Sequence, residues 1–174
     1  MKSLCMTRDE FMQKAYDLAA HNEVVFKGCS QGVISAFQDL LGLKDILVLK
    51  AASAFAGGIA RQGTTCGALI AGTMVIGIKY GRASLEDYYS FQRTFTPVIK
   101  LCSMFKQEFG SLNCRDITGV DFLDLEQMRE FYVSGRHDRE CGTVTGKTAR
   151  MVADILCDVE EALLFDISKL QDVR

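Results

Sequence analysis

The cysteines are the residues of this chain best suited to chemistry, and there are seven of them among 174 residues. A cysteine within an apolar helix stripe is explained by packing alone, but the pattern predicts that some lie in loops or at helix starts. A helix N-terminus offers unpaired N–H groups and a partial positive charge, which favour a reactive or metal-binding thiolate. We therefore predict redox or metal chemistry at the four cysteines placed in this way: Cys29, Cys66, Cys114 and Cys141.

The other three cysteines have a simpler interpretation. Cys102 lies in an apolar run, Cys157 follows Ile155 and Leu156, and Cys5 lies near the start of the chain. A free cysteine packs as a small hydrophobic residue. We expect these three to be core or incidental surface residues.

The spacing of the four selected cysteines leaves the chemistry open. Zinc ribbons and ferredoxins use close Cys-x-x-Cys pairs, whereas these residues are far apart in sequence and only the fold could bring them together. As thiolates they could bind an iron–sulfur cluster, or in pairs they could cycle as a metal-free thiol–disulfide relay. A structural zinc site, or a binding module without turnover, is the third alternative.

The elements that must position these residues are predicted to be helices, six to eight of them in one all-α domain spanning residues 1–174. A capping box at Thr7–Glu10 opens the first helix, and a second begins at Cys29 and ends at Gly42. A third covers Asp45–Phe55. A Gly-rich loop at 56–65 then precedes a buried central helix from about Cys66 to Tyr80.

The second half of the chain is predicted to be helical as well. A long helix runs from Ser84 toward Gly110, and Pro97 either kinks it or splits it in two. A shorter helix covers about Leu125 to Val133. We expect a loop at 134–142, containing Cys141, before the final helix.

Composition excludes several classes of function. The net charge is −2, and the sequence has no stripe of basic residues. Nucleic-acid binding is therefore not predicted. The most apolar run, 66–78, is shorter than the roughly 20 residues that a membrane span needs. Because no secretory signal is present and the cysteine count is odd, we expect a cytoplasmic protein with reduced thiols.

Two apolar surfaces could form a homodimer interface. One is the central helix, whose glycines allow close packing, and the other is a row of phenylalanines on the long helix. That row comprises Phe91, Phe95, Phe105 and Phe109.

Two further features were considered as sites. His137 lies close to Cys141 and could be a metal ligand, but we interpret it as a solvated loop histidine, which is the more common case. The pair Gly57-Gly58 lacks the Gly-Lys-Ser/Thr of a phosphate-binding loop, so nucleotide binding is not expected.

Taken together, these motifs resemble the C-GCAxxG-C-C family, small bacterial and archaeal proteins to which redox activity is attributed. The likeness extends over about residues 24–157 and includes all four selected cysteines. It departs from the family pattern at Ala56 and Ala71, where glycine is usual. The segments that carry it are Gly28–Gln31, Phe55–Arg61, Thr65–Ala68, Gly77–Gly81, Cys114–Asp121 and Cys141.

The resemblance implies a redox role with an unidentified redox partner protein. Similar domains in split-Soret cytochromes are associated with an iron–sulfur centre, although their haem-binding motifs are missing here. We therefore predict that the four cysteines bind an iron–sulfur cluster for electron transfer. We also predict that the backbone N–H groups of Gly57, Gly58 and Gly67 approach the sulfurs and tune the reduction potential.

Overall fold

A computed structural model describes the backbone of residues 6–171 and the side chains of residues 6–160, and it confirms the all-α fold. Cys5 lies outside the described residues. The described part contains no strand, only an isolated antiparallel bridge between Thr65 and Asn113. The helices are α1 (Arg8–Phe26), α2 (Cys29–Leu41), α3 (Ile46–Ala52), α4 (Gly67–Tyr80), α5 (Tyr88–Arg93), α6 (Phe95–Phe109), α7 (Cys114–Thr118), α8 (Leu125–Val133) and α9 (Arg136–Gln171), with a 3₁₀ turn at Ser53–Phe55.

The first two helices begin and end where their capping residues predict. The Thr7 backbone N–H donates to the Glu10 carboxylate at 2.8 Å, and the Glu10 N–H donates to the Thr7 hydroxyl at 3.3 Å, which forms the capping box of α1. Lys27 in the left-handed conformation ends α1, and Gly42 ends α2. The link between the two helices is short, so α1 and α2 are packed neighbours.

Helix α4 lies at the centre of the main hydrophobic core and packs against α2, α6 and α9. Its Gly72 permits close approach, because a Cβ there would lie 2.9 Å from both Leu101 Cδ2 and Val152 Cγ2. No helix in the described part of the chain has the length and apolar character needed to span a membrane.

The predicted long helix from Ser84 is two helices, which meet at Thr94. Pro97 lies in the first turn of α6, where a helix needs no backbone N–H donor from that residue. The rings of Phe91 and Phe95 meet edge to face across the break at 4.9 Å. Splitting, rather than kinking, is therefore the consequence of this proline.

The prediction of a loop at 134–142 is wrong, because α9 already begins at Arg136. Ser134 and Gly135, which has a φ of 69°, make the two-residue turn between α8 and α9. Arg136 then pairs with Glu140 one turn later at 2.7 Å, a spacing that stabilises a helix. Cys141 consequently lies within the helix, and α9 packs extensively against α1.

Candidate functional site

The four selected cysteines all line one cavity of ≈ 380 Å³. Each comes from a different element: Cys29 from α2, Cys66 from the N-cap of α4, Cys114 from α7 and Cys141 from α9. The structure thus gathers residues that are far apart in sequence. The remaining lining side chains include Glu23, Lys27, Arg61, Tyr132, His137 and Thr145.

Backbone pairing between two segments holds Cys66 and Cys114 in place. The Cys66 N–H donates to the Leu112 carbonyl at 2.8 Å, and the Cys114 N–H donates to the Thr64 carbonyl at 2.7 Å. The antiparallel bridge between Thr65 and Asn113 lies between these two bonds. Two cysteines therefore start their helices side by side.

The Cys29 and Cys66 thiols are hydrogen-bonded neighbours, and glycine creates the space for them. A Cβ at Gly67 would lie 2.8 Å from Cys29 Sγ and 2.6 Å from the Phe55 carbonyl oxygen. Such distances are too short for any side chain larger than hydrogen. Gly67 is thus packed directly against the sulfur of Cys29.

The Gly-rich loop takes an unusual left-handed course from 57 to 61. Five consecutive residues have positive φ, and Ile59, Ala60 and Arg61 among them are not glycine. A Cβ at Gly58 would lie 2.8 Å from Cys114 Cβ, so this loop also lies directly against a cysteine. Ala56, which stands at a usual family glycine, has an ordinary φ of −60° and needs no glycine.

Burial opposes the thiolate form of Cys29, Cys114 and Cys141, against the effect expected from places near helix starts. The hydrogen bond to Cys66, together with burial, raises the pKa of Cys29 well above its usual range, although the Gly57 backbone N–H opposes this. Burial raises the pKa of Cys114 to about 12 and also raises that of Cys141. Desolvation outweighs the partial positive charge of a helix start here.

Two of the basic residues near the cysteines are paired with carboxylates. Lys27 pairs with Asp138, and Arg115 pairs with Asp121 at 2.9 Å. Their charges are therefore balanced by carboxylates rather than directed at the sulfurs.

The other side of the cavity holds a buried Glu–His pair beside Cys141. His137 Nε2 lies 2.8 Å from Glu23 Oε1, and both residues are about as buried as the hydrophobic core, at 2% and 3% exposure. Ligand atoms of Glu23, His137 and Cys141 all lie within 4.8 Å of one another. The interpretation of His137 as a solvated loop residue is therefore wrong, because it lies in the first turn of α9 and faces inward.

A comparison with protein families agrees with this arrangement. The model of a family described as "Putative redox-active protein (C_GCAxxG_C_C)" matches residues 28–155, well over half of the chain. The chain belongs to the C-GCAxxG-C-C family. No curated protein and no solved structure matches the chain.

In this member of the C-GCAxxG-C-C family, the two other cysteines among the described residues, Cys102 and Cys157, do not line the cavity. Cys102 packs against the main core from α6, and Cys157 is half-buried on α9. Burial raises the pKa of Cys102. The structure thus separates the two classes of cysteine that the sequence distinguished.

Sequence reasoning missed Glu23 as a site residue, although a signal was present. Glu23 continues the four-residue spacing of Ala15 and Ala19, the buried stripe of α1. A carboxylate at the next position of an apolar stripe indicates a buried charge with a partner. His137, Cys141 and Thr145 on α9 repeat the same four-residue spacing. This spacing indicates a shared helix face only if the segment is helical, and the sequence predicts a loop there.

Proposed function

We propose that this protein transfers electrons through an iron–sulfur cluster bound in the cavity by Cys29, Cys66, Cys114 and Cys141. The observation that carries the proposal is that all four sulfur-bearing residues line one cavity. Membership of a redox-active family supports the same chemistry.

The cavity fits a cofactor better than it fits a closed structural ion. Its ≈ 380 Å³ lies within the range of about 300–1,000 Å³ that is typical of ligand sites. Tetrahedral zinc with four Zn–S bonds of about 2.3 Å would need sulfurs about 3.8 Å apart. Among the described residues, the only group of three or more such ligand atoms within 4.8 Å of one another is Glu23, His137 and Cys141. A four-cysteine zinc staple is therefore disfavoured.

The chain's own residues determine how such a centre would be held. A bound cluster would supply one-electron redox chemistry. The cysteines would release their protons to solvent on metal binding, since thiolates are the ligands. The Gly57 N–H faces the Cys29 sulfur, and hydrogen bonds to cluster sulfurs help to set the potential.

Anaerobic purification, or reconstitution with iron and sulfide, tests the proposal. We expect stoichiometric iron and sulfide, visible charge-transfer absorption and a reversible one-electron reduction. A colourless protein that retains its full thiol titre and takes up no iron under these conditions would be evidence against the cluster.

The second candidate function is a metal-free thiol–disulfide relay, and the contact between Cys29 and Cys66 favours it. Their thiols would lose two electrons and two protons to a partner disulfide, which would be reduced to two thiols as the Cys29–Cys66 bond forms. Mass spectrometry of alkylated protein separates the two functions. A reversible loss of these two thiols on addition of a small disulfide, without iron, supports the relay.

A further inference from the structure

The Glu23, His137 and Cys141 side chains meet where α1 and α9 pack together. They offer one oxygen, one nitrogen and one sulfur, all within 4.8 Å of one another. Carboxylate, imidazole and thiolate are the three ligand types that zinc and ferrous iron accept together in proteins. The cluster of side chains thus has the chemistry of a metal site that is not purely thiolate.

Unsatisfied polar atoms mark this side of the cavity. Glu23 Oε2 is buried without a hydrogen-bond partner, although its residue is only 3% exposed. Thr145 Oγ1 is also buried without a partner and lines the same cavity. A buried polar atom without a partner destabilises the folded state, and it does so more strongly when it is charged. An oxygen held in this way at a cavity wall points to a ligand that would satisfy it.

The orientation of His137 is that of a metal-binding histidine. Its Nδ1 lies 3.0 Å from Asp138 Oδ1, and Asp138 is itself held by Lys27. Tyr132 stacks on the imidazole at 4.5 Å. A carboxylate at one ring nitrogen fixes the other for a metal, as in carboxylate–histidine–zinc triads. Here the other nitrogen, Nε2, faces Glu23.

We propose that Glu23, His137 and Cys141 bind a single divalent transition-metal ion, zinc or ferrous iron in class, with an open coordination position facing the cavity. Three protein ligands with room for a fourth group are the pattern of reactive rather than structural metal sites. This site does not require the four-cysteine cluster, although it shares Cys141 with it. Asp138 is a positioning residue, because it acts through His137.

Cobalt(II) is the probe for this site, because a cobalt–thiolate bond absorbs in the near ultraviolet. The reduced full-length protein would be titrated with cobalt chloride under anaerobic conditions in a background of Cys29→Ser, Cys66→Ser and Cys114→Ser, which leaves Cys141 as the cavity's one cysteine. We expect a single bound cobalt ion with a thiolate band, and loss of that band on adding Cys141→Ser.

The ligand variants then identify the other donors. Mutation of a residue that hydrogen-bonds to a metal ligand typically lowers metal affinity by about 10–100-fold. In that background, Glu23→Gln and His137→Asn remove ligands themselves, so each should lower the affinity for cobalt by at least this factor. Asp138→Asn should weaken it by about 10–100-fold with little change in the circular dichroism spectrum. Asp154→Asn, on the same helix away from the cavity, is the control and should bind as before.

The outcomes separate this proposal from the cluster. Unchanged cobalt affinity in the Glu23, His137 and Asp138 variants would overturn it, as would the absence of cobalt binding in the folded background protein. If the background does not fold, Asp138→Asn and Asp154→Asn in the otherwise unaltered chain provide the same comparison. Iron and sulfide reconstitution of Glu23→Gln with its cysteines intact tests the cluster alone, so either proposal can fail while the other stands.

Discussion

The main core and the cysteine cavity share helices α1, α2 and α9, but they differ in what fills them. In the core, α4 packs so closely against α6 and α9 that a Cβ at Gly72 would require the side chains of Leu101 and Val152 to shift. The cavity, lined by α1, α2, α7, α8, α9 and the Gly-rich loop, encloses ≈ 380 Å³. The core consists of aliphatic and aromatic residues, whereas the cavity contains a buried Glu–His pair and four cysteines.

This contrast indicates that the cavity is not a packing defect. An unfilled space among apolar residues lowers stability in proportion to its size, and buried polar groups without partners lower it further. The chain has both at one place, together with three left-handed residues that are not glycine. Unfavourable features that cluster at one place in an otherwise close-packed bundle are typical of functional sites.

The largest effect should come from comparing a cavity cysteine with a core cysteine. Cys66→Ser removes a sulfur from the cavity, and we expect bound iron to fall by at least about tenfold, as for the loss of a metal partner. Cys102→Ser changes a sulfur that packs against the core, so the iron content should stay at the level of the unaltered protein. Iron and sulfide analysis of anaerobically reconstituted protein measures both. Equal loss in the two variants would contradict the assignment of the cavity as the site.

A second comparison places the same substitution at two glycines of α4. Gly67→Ala would put a Cβ 2.6 Å from the Phe55 carbonyl oxygen and 2.8 Å from Cys29 Sγ. Because that carbonyl is backbone and cannot rotate away, we expect a loss of about 1–3 kcal/mol in the free energy of unfolding, together with reduced iron content. Urea unfolding and metal analysis measure the two effects.

Gly72→Ala is the matched control within the core. Its nearest neighbours are the side-chain ends of Leu101 and Val152, which can shift. Alanine in a helix interior also gains about 1 kcal/mol over glycine, which offsets part of the crowding. The Gly72 variant should therefore lose less stability than Gly67→Ala and keep its iron. The reverse order would show that the core, not the cavity, is the less tolerant region.

A smaller effect is expected from relieving the left-handed loop. Ala60 is exposed and has a φ of 48°, a conformation that costs a residue with a Cβ roughly 1–2 kcal/mol. Ala60→Gly should stabilise the protein by about 0.5–1 kcal/mol after the added flexibility of the unfolded chain is subtracted. Ala51→Gly, at an exposed position of α3, should instead destabilise it by about 1 kcal/mol or less. Thermal unfolding measures both variants. A higher unfolding temperature for Ala60→Gly and a lower one for Ala51→Gly, each relative to the unaltered protein, would verify that the loop is strained.

The helical architecture could be predicted because its signals are local. The capping box at Thr7, the stop at Gly42 and the break near Pro97 each depend on residues within one or two turns. The start of α9 could not be placed in this way, because 134–142 is polar and contains a glycine that suggested a loop. Its helical state follows from the turn at Gly135 and from burial of His137 against α1, which is a tertiary contact.

The site was predictable in part for a related reason. The cysteines stand out by residue type and by family resemblance, so all four could be named. The raised pKa values of Cys29, Cys114 and Cys141 could not be predicted, because they depend on burial by distant elements rather than on the nearest helix start. Glu23 was missed since its role depends on His137, a residue 114 positions away.

The smallest effect should come from the exposed ion pairs that join the core helices far from the cavity. Asp158 accepts from Lys100 and Arg8, each at 2.5 Å, and these hydrogen bonds lower its pKa. A carboxyl whose pKa is lowered by folding stabilises the folded state above its unfolded pKa of about 3.9, and that stabilisation is lost as the pH falls through the folded value. Asp158→Asn should therefore reduce stability at pH 7 by less than about 1 kcal/mol, because these groups are solvent-screened.

Urea unfolding at pH 7 and at pH 3 checks this prediction on the same protein preparations. The gap in stability between Asp158→Asn and the unaltered chain should shrink at pH 3, while iron binding at pH 7 stays the same in both. A gap that is constant or larger in acid would show that Asp158 acts by packing rather than by charge. Such a result would weaken the distinction between the two regions of α9. It would mean that a single polar substitution at Asp158, far from the cavity, lowers stability through packing, as substitutions at the cavity are expected to do.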